Sequence, residues 1–113
     1  MENQVQLNAE RIKLLNKFSK AVPEFMDAEA KVLAVAYKEG ALSTKVKLLI
    51  AMATAIKVGC TNCIIAQTEH ALREGATREE ILETLQVVIA LGGTTGIAES
   101  LRVIKFLDEL GKL

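Results

Sequence analysis

Apolar residues recur at helical spacing along nearly the whole chain. Leu7, Ile12, Leu14, Leu15 and Phe18 form a first set, closed by the single proline, Pro23. A second set, Phe25, Ala28, Val32, Val35 and Ala36, runs from about Glu24 to Lys38 and stops before Gly40. Ser43 offers an N-cap for a third helix. Its stretch from Leu48 to Ile56 carries no charge, so it is expected to be buried nearly all round. Gly59 closes it, and a fourth helix is expected from about Cys60 to Gly75, a residue suited to the position just past a helix end. Thr77, with Glu80 three residues on, has the capping-box pattern that opens a fifth, with Ile81, Leu82, Leu85, Val88 and Ile89 as its apolar set. Gly92-Gly93 separates it from a last helix holding Ile97, Leu101, Ile104, Phe106 and Leu107. No β-hairpin signature or long alternating run occurs. The pattern predicts an all-α chain of about six helices.

Composition narrows the class. The 113 residues contain no linker, repeat or low-complexity stretch, so one domain spanning 1–113 is expected. Half the residues are hydrophobic but only 4% are aromatic, and a chain this short has little interior for so many aliphatic side chains. A homo-oligomer is the expected outlet. Fourteen basic and fourteen acidic residues balance, which argues against a nucleic-acid partner or an anionic membrane surface. The N-terminal MENQVQLNAER is polar and lacks a signal-peptide core. The longest uncharged run, Thr84 to Ala98, is broken by Gly92-Gly93 and too short to span a bilayer. A soluble cytoplasmic protein is expected, with no membrane partner. In that compartment paired cysteines point to redox or metal chemistry rather than a permanent staple.

The chemistry is concentrated in "GCTNCIIAQTEH", which holds both cysteines and the only histidine. Cys60 and Cys63 lie about one helical turn apart, within disulfide reach when the first stands at a helix start. Exposed N–H groups and the positive dipole end would favour a thiolate there. Two other readings compete: a pair of small buried hydrophobes, or zinc ligands. Zinc needs about four ligands, so two cysteines and one histidine could hold it only between subunits. His70 follows Cys63 by seven residues, with Gln67 between on the same face. That is about 10 Å along a helix axis, too far for a direct hydrogen bond to Cys63. His70 is therefore read either as a base acting through Gln67, water or another subunit, or as a surface or interface histidine. Glu69 is expected on a solvated face.

The stretch from Gly40 to Gly93, with "GALS", a buried helix, CxxC, "GATREEI" and a closing Gly-Gly pair, resembles the carboxymuconolactone decarboxylase / alkylhydroperoxidase-D-like (AhpD-like) family. The resemblance implies an all-α fold assembled as a trimer or hexamer. It also implies a CxxC that works as a thiol peroxidase or disulfide reductase without a bound cofactor. By that resemblance Cys63 is the reactive thiol and Cys60 its resolving partner, with a lipoyl-type dithiol or thioredoxin-like electron donor. A histidine four residues after the second cysteine and a glutamate twelve before the first complete a proton relay in redox-active members. Gln67 and Leu48 occupy those positions here. A neutral amide cannot take a thiol proton, and loss of a general base typically costs about 10²–10⁴-fold.

The expected activity is thus a thiol–disulfide oxidoreductase with an altered proton relay, of peroxidase type. Cys60 and Cys63 carry it, and His70 and Gln67 are candidates for handling protons. Two alternatives stand beside it. One is a catalytically weakened oligomeric protein that binds a small apolar or carboxylated ligand. The other is an acid–base decarboxylase, for which the sequence offers no obvious cluster of arginine with histidine.

Overall fold

The structure, a computed structural model, describes residues 1–113. It is all-helical: α1 (Gln4–Ala21), α2 (Pro23–Tyr37), α3 (Thr44–Val58), α4 (Thr61–Arg73) and α5 (Arg78–Glu109). Local signals set most of the boundaries. The side chain of Asn3 accepts the N–H of Gln6 to open α1, and that of Ser43 accepts the N–H of Val46 to open α3. Pro23 occupies the first turn of α2, where its missing N–H costs nothing. Thr77 and Glu80 form the reciprocal capping box of α5.

Five helices replace the expected six because the backbone resumes helix on both sides of Gly93. That residue alone leaves helical geometry, at φ 61° and ψ −139°, where only glycine is comfortable. The result is a kink. It lets the second half of α5 fold back on the first, so closely that a Cβ on Gly96 would stand 3.0 Å from the Val88 carbonyl oxygen and 3.2 Å from the Ile89 Cα. By length and composition α5 could cross a membrane. Yet neither straight half reaches the ~20 residues a span requires, and Ile81, Leu85, Val88, Val103 and Leu107 pack into the core.

That core is built by α3, α4 and both halves of α5. Leu48, Met52, Ala55 and Ile56 of α3 meet Ile64 and Ala71 of α4 and the α5 side chains just named. Each large aliphatic side chain fully buried there contributes about 1.5–3 kcal/mol. The uncharged stretch of α3 is not buried all round as its composition suggested. Ile50 within it is 50% exposed, and Val58 just beyond it 74%, because one face packs inward and the other walls a cavity beside the cysteines.

The α1–α2 arm departs further from the apolar pattern. The buried residues of α1 are Gln4 and Asn8, and α2 has none. Tyr37 ties the end of α2 to the core, and polar contacts hold α1. The Glu109 carboxylate accepts the Gln4 N–H at 2.8 Å and the Val5 N–H at 3.0 Å, an anion on the positive end of α1. Asn8 Nδ2 donates to Glu69 at 2.7 Å, and Arg102 pairs with Glu2 at 3.0 Å. Ile12, Leu14, Leu15, Phe18, Phe25, Val32 and Val35 stay exposed.

The fold-back gives a paired test. Gly96→Ala sets a methyl against backbone that cannot move aside, so it should cost about 1–3 kcal/mol. Gly92→Ala, in open space and helical, should be neutral or stabilising by up to ~1 kcal/mol. Urea denaturation of both variants checks this. Equal stabilities would contradict the close approach.

Candidate active site

The junction between α3 and α4 places the cysteines. Gly59 ends α3 in the left-handed region at φ 79°. Its N–H bonds to the Ala55 and Ile56 carbonyls, and the Cys60 N–H bonds to the Ala55 carbonyl. This turn satisfies the end of α3 and sets Cys60, in extended conformation, as the N-cap of α4. Serine, threonine, aspartate and asparagine usually fill that position because a side-chain acceptor there meets an unpaired helix N–H. Here the acceptor is sulfur: Cys60 Sγ receives the Cys63 N–H at 3.3 Å. The two cysteines, with Cα atoms 5.2 Å apart, are joined as a disulfide. Cys63 lies on the exposed side and Cys60 is half-buried.

The disulfide opens onto a cavity of about 430 Å³. Ile50, Ala51, Ala55 and Val58 of α3 form its apolar wall, and Tyr37, Lys47, Thr54 and Gln67 bring polar groups. Thr54 Oγ1 is committed to the Ile50 carbonyl, and Lys47 Nζ to the Lys38 carbonyl at 2.6 Å. Tyr37 and Lys47 carry no motif and were not singled out from the sequence. Lys47 does have a signal in retrospect, since it stands three and four residues before Ile50 and Ala51 on the face that leads to the cysteines.

His70 is elsewhere. It lines a second cavity, about 360 Å³, together with Leu48, Leu33, Thr44, Arg73 and Glu74. Gln67 and Tyr37 line both cavities, so Gln67 stands between the sulfur side and the histidine side. Its Oε1 is buried without a hydrogen-bond partner. Positions 48 and 67, separated by nineteen residues in the chain, share this second cavity. Leucine and glutamine therefore meet at the place where the resemblance implied a carboxylate and an imidazole.

Electrostatics around His70 oppose its protonation. Burial holds its pKa below the usual 6.5, the Arg73 and Arg11 guanidiniums push the same way, and Glu69 opposes them. Glu69 is not on a solvated face. Its carboxylate accepts from Asn8 at 2.7 Å and Arg73 at 3.0 Å, with Arg11 at 4.0 Å, because α1 lies against α4 at that point. The second cavity also unites a histidine with an arginine, a pairing the sequence alone did not reveal, although Arg73 is already held by Glu69.

An all-helical protein with a CxxC disulfide at a helix N-terminus and an aliphatic cavity beside it defines the class. Residues 23–106 match the carboxymuconolactone decarboxylase family. The chain belongs to that family. Its relatives include an uncharacterised protein of Cupriavidus necator, 38% identical over 80% of both chains. Another is an uncharacterised protein of the Paracoccus denitrificans cox locus, 33% identical over 85% of this chain and 86% of that one. Among solved structures, a carboxymuconolactone decarboxylase family protein of Legionella pneumophila superposes with a TM-score of 0.87 at 32% identity, covering 96% of this chain and 97% of that one. A Thermotoga maritima family member, for which an antioxidative role has been suggested, gives 0.73 at 28% identity, covering 91% and 88%.

The His70 environment predicts a pH effect. Its pKa is lower folded than unfolded, so the native state disfavours the proton. Its contribution is fully favourable above about pH 6.5, declines as pH falls through that value, and levels off below the folded pKa. Urea denaturation at pH 7.5 and 5.5 should show wild type losing stability on acidification relative to His70→Gln. The same difference between the two proteins at both pH values would contradict it.

Proposed function

We propose that this protein is a thiol–disulfide oxidoreductase that reduces peroxides through the Cys60–Cys63 couple. The observation that carries the reading is the disulfide itself, seated at the N-terminus of α4 and open to an aliphatic cavity. The suggested antioxidative role of the Thermotoga maritima relative supports it.

Activation without the relay is the chemical problem, and the helix N-terminus answers it. In the dithiol the Cys63 N–H that now meets Cys60 Sγ would meet a thiolate, with the positive end of α4 behind it. Cys60 is then the nucleophile. Its thiolate attacks one peroxide oxygen, the O–O bond breaks, and the alkoxide leaves and takes a proton from water. The product at Cys60 is a sulfenic acid. Cys63 gives its proton to solvent and attacks that sulfur as its thiolate; the S–S bond forms, the S–O bond breaks, and the hydroxide that leaves takes a proton from solvent to become water. An external dithiol of lipoyl or thioredoxin type returns two electrons and two protons and is itself oxidised to a disulfide. This assignment exchanges the roles that the family resemblance implies for the two cysteines, because the base that would activate Cys63 is replaced by Gln67. Gln67 retains a positioning part through its amide. His70, facing the other cavity, acts on the cysteines only through Gln67.

The exposed aliphatic residues of α1, α2 and α5 support a homo-oligomer, a trimer or hexamer. A cytoplasmic location agrees with a couple that needs a dithiol donor. The decarboxylase reading draws less support, since the arginine beside His70 is tied to Glu69.

The test is stoichiometric. Reduced protein should consume one equivalent of an alkyl hydroperoxide per disulfide formed and turn over with a dithiol reductant. Cys60→Ser and Cys63→Ser should each lower turnover at least about 10²-fold. Peroxide that persists over reduced protein, or turnover that survives both substitutions, would overturn the reading.

A further inference from the structure

The cavity beside the disulfide has a direction. Lys47, Ile50, Ala51, Thr54, Ala55 and Val58 recur at three- and four-residue steps, so they form one face of α3. Eleven residues separate Lys47 from Val58, which at the helical rise is about 16 Å. The cysteines stand toward the Val58 end, since Gly59 alone intervenes before Cys60. The groove therefore has an ammonium at one end, aliphatic side chains along its length, and the sulfur couple toward the other.

The charge at the far end is unbalanced. Lys47 is the only charged residue lining this cavity, and no carboxylate lies within 4.0 Å of it, in contrast to Lys45, which pairs with Glu80. Its Nζ donates to the Lys38 carbonyl, which holds the ammonium toward that end of the groove and leaves further N–H donors free. The second cavity differs, because His70, Arg73 and Glu74 bring both signs to it and Arg73 is already paired. An isolated, anchored cation at the end of an apolar groove selects an anion with an apolar body.

We propose that the groove takes a linear aliphatic carboxylate, its carboxylate on Lys47 and its chain along Ile50, Ala51, Ala55 and Val58. The substrate class is then the hydroperoxide of such an acid, with the O–O group carried to the cysteines. This assignment of class rests on the peroxidase reading above; the binding it describes does not.

Two measurements separate the two claims. Binding is read by calorimetric titration of decanoate and decanol into wild type and into the Cys60→Ser/Cys63→Ser variant, which needs no redox chemistry. Decanoate should bind at least about tenfold more tightly than decanol to both proteins. Lys47→Gln should remove that preference and Lys47→Arg should keep most of it. Equal affinities for decanoate and decanol, no binding of either, or a preference untouched by Lys47→Gln would overturn the proposal. Turnover is read with a fatty-acid hydroperoxide against cumene hydroperoxide. The acid should show the lower KM, and Lys47→Gln should raise the ratio of its KM to that of cumene hydroperoxide about tenfold. Selective decanoate binding without any hydroperoxide turnover would sink the peroxidase reading and the substrate class while the carboxylate site stands. Turnover of both hydroperoxides at equal KM, with no decanoate preference, would sink the carboxylate site while the peroxidase reading stands.

Discussion

The site depends on one junction, the turn in which Gly59 ends α3 and Cys60 caps α4. Gly59 takes the left-handed conformation that other residues resist, and this allows the two helices to pack against each other while the chain reverses between them. The reversal leaves the N-terminus of α4 without a conventional oxygen cap. A cysteine sulfur fills the role, so the group that completes the helix is also the group available for chemistry. Structure and reactivity are coupled there. Replacing the sulfur alters the helix start, and changing its redox state alters what the Cys63 N–H meets.

From that junction the rest of the molecule divides by burial. α3, α4 and the folded-back α5 enclose an aliphatic core, and the same α3 offers its other face to the cavity. The α1–α2 arm is attached by carboxylates and amides along α1, through Glu109, Glu69 and Asn8, and by Tyr37 at the end of α2, which packs on the core. The hydrophobic side chains it displays are thus left over from the core of one chain. An aliphatic sequence of this length has more apolar surface than a single small interior can take up.

The parts of the fold that were legible in the sequence are those governed by neighbouring residues. Ser43, Gly59, Gly75 and the Thr77–Glu80 box mark helix ends because capping is a local hydrogen-bonding problem. Gly92-Gly93 marked a break, but whether the backbone resumes helix after a single distorted residue depends on the close packing of Gly96 on Val88, which is tertiary. The helical periodicity of α1 and α2 was correct, but it did not say where their apolar residues go, since periodicity reports a face and not what covers it. At the site, the CxxC spacing carried over directly, and the distance argument that kept His70 from Cys63 agrees with their placement in separate cavities. Lys47 and Tyr37 were not legible as site residues. Nothing about a lysine at a helix start or a tyrosine at a helix end distinguishes them until α2, α3 and α4 are brought together. Glu69 lies off the solvated face expected for it for the same reason, because two of its partners, Asn8 and Arg11, are sixty or so residues away on α1.

The central claim is that the N-terminus of α4 supplies the activation that Gln67 cannot. The pH dependence of alkylation of the reduced protein by iodoacetamide, followed separately at each cysteine by mass spectrometry, addresses it most directly. Cys60 should react first, with an apparent pKa below that of an ordinary thiol, which titrates near about 8.5. A Cys60 profile centred at about 8.5 or above, or faster alkylation of Cys63 at neutral pH, would contradict the account.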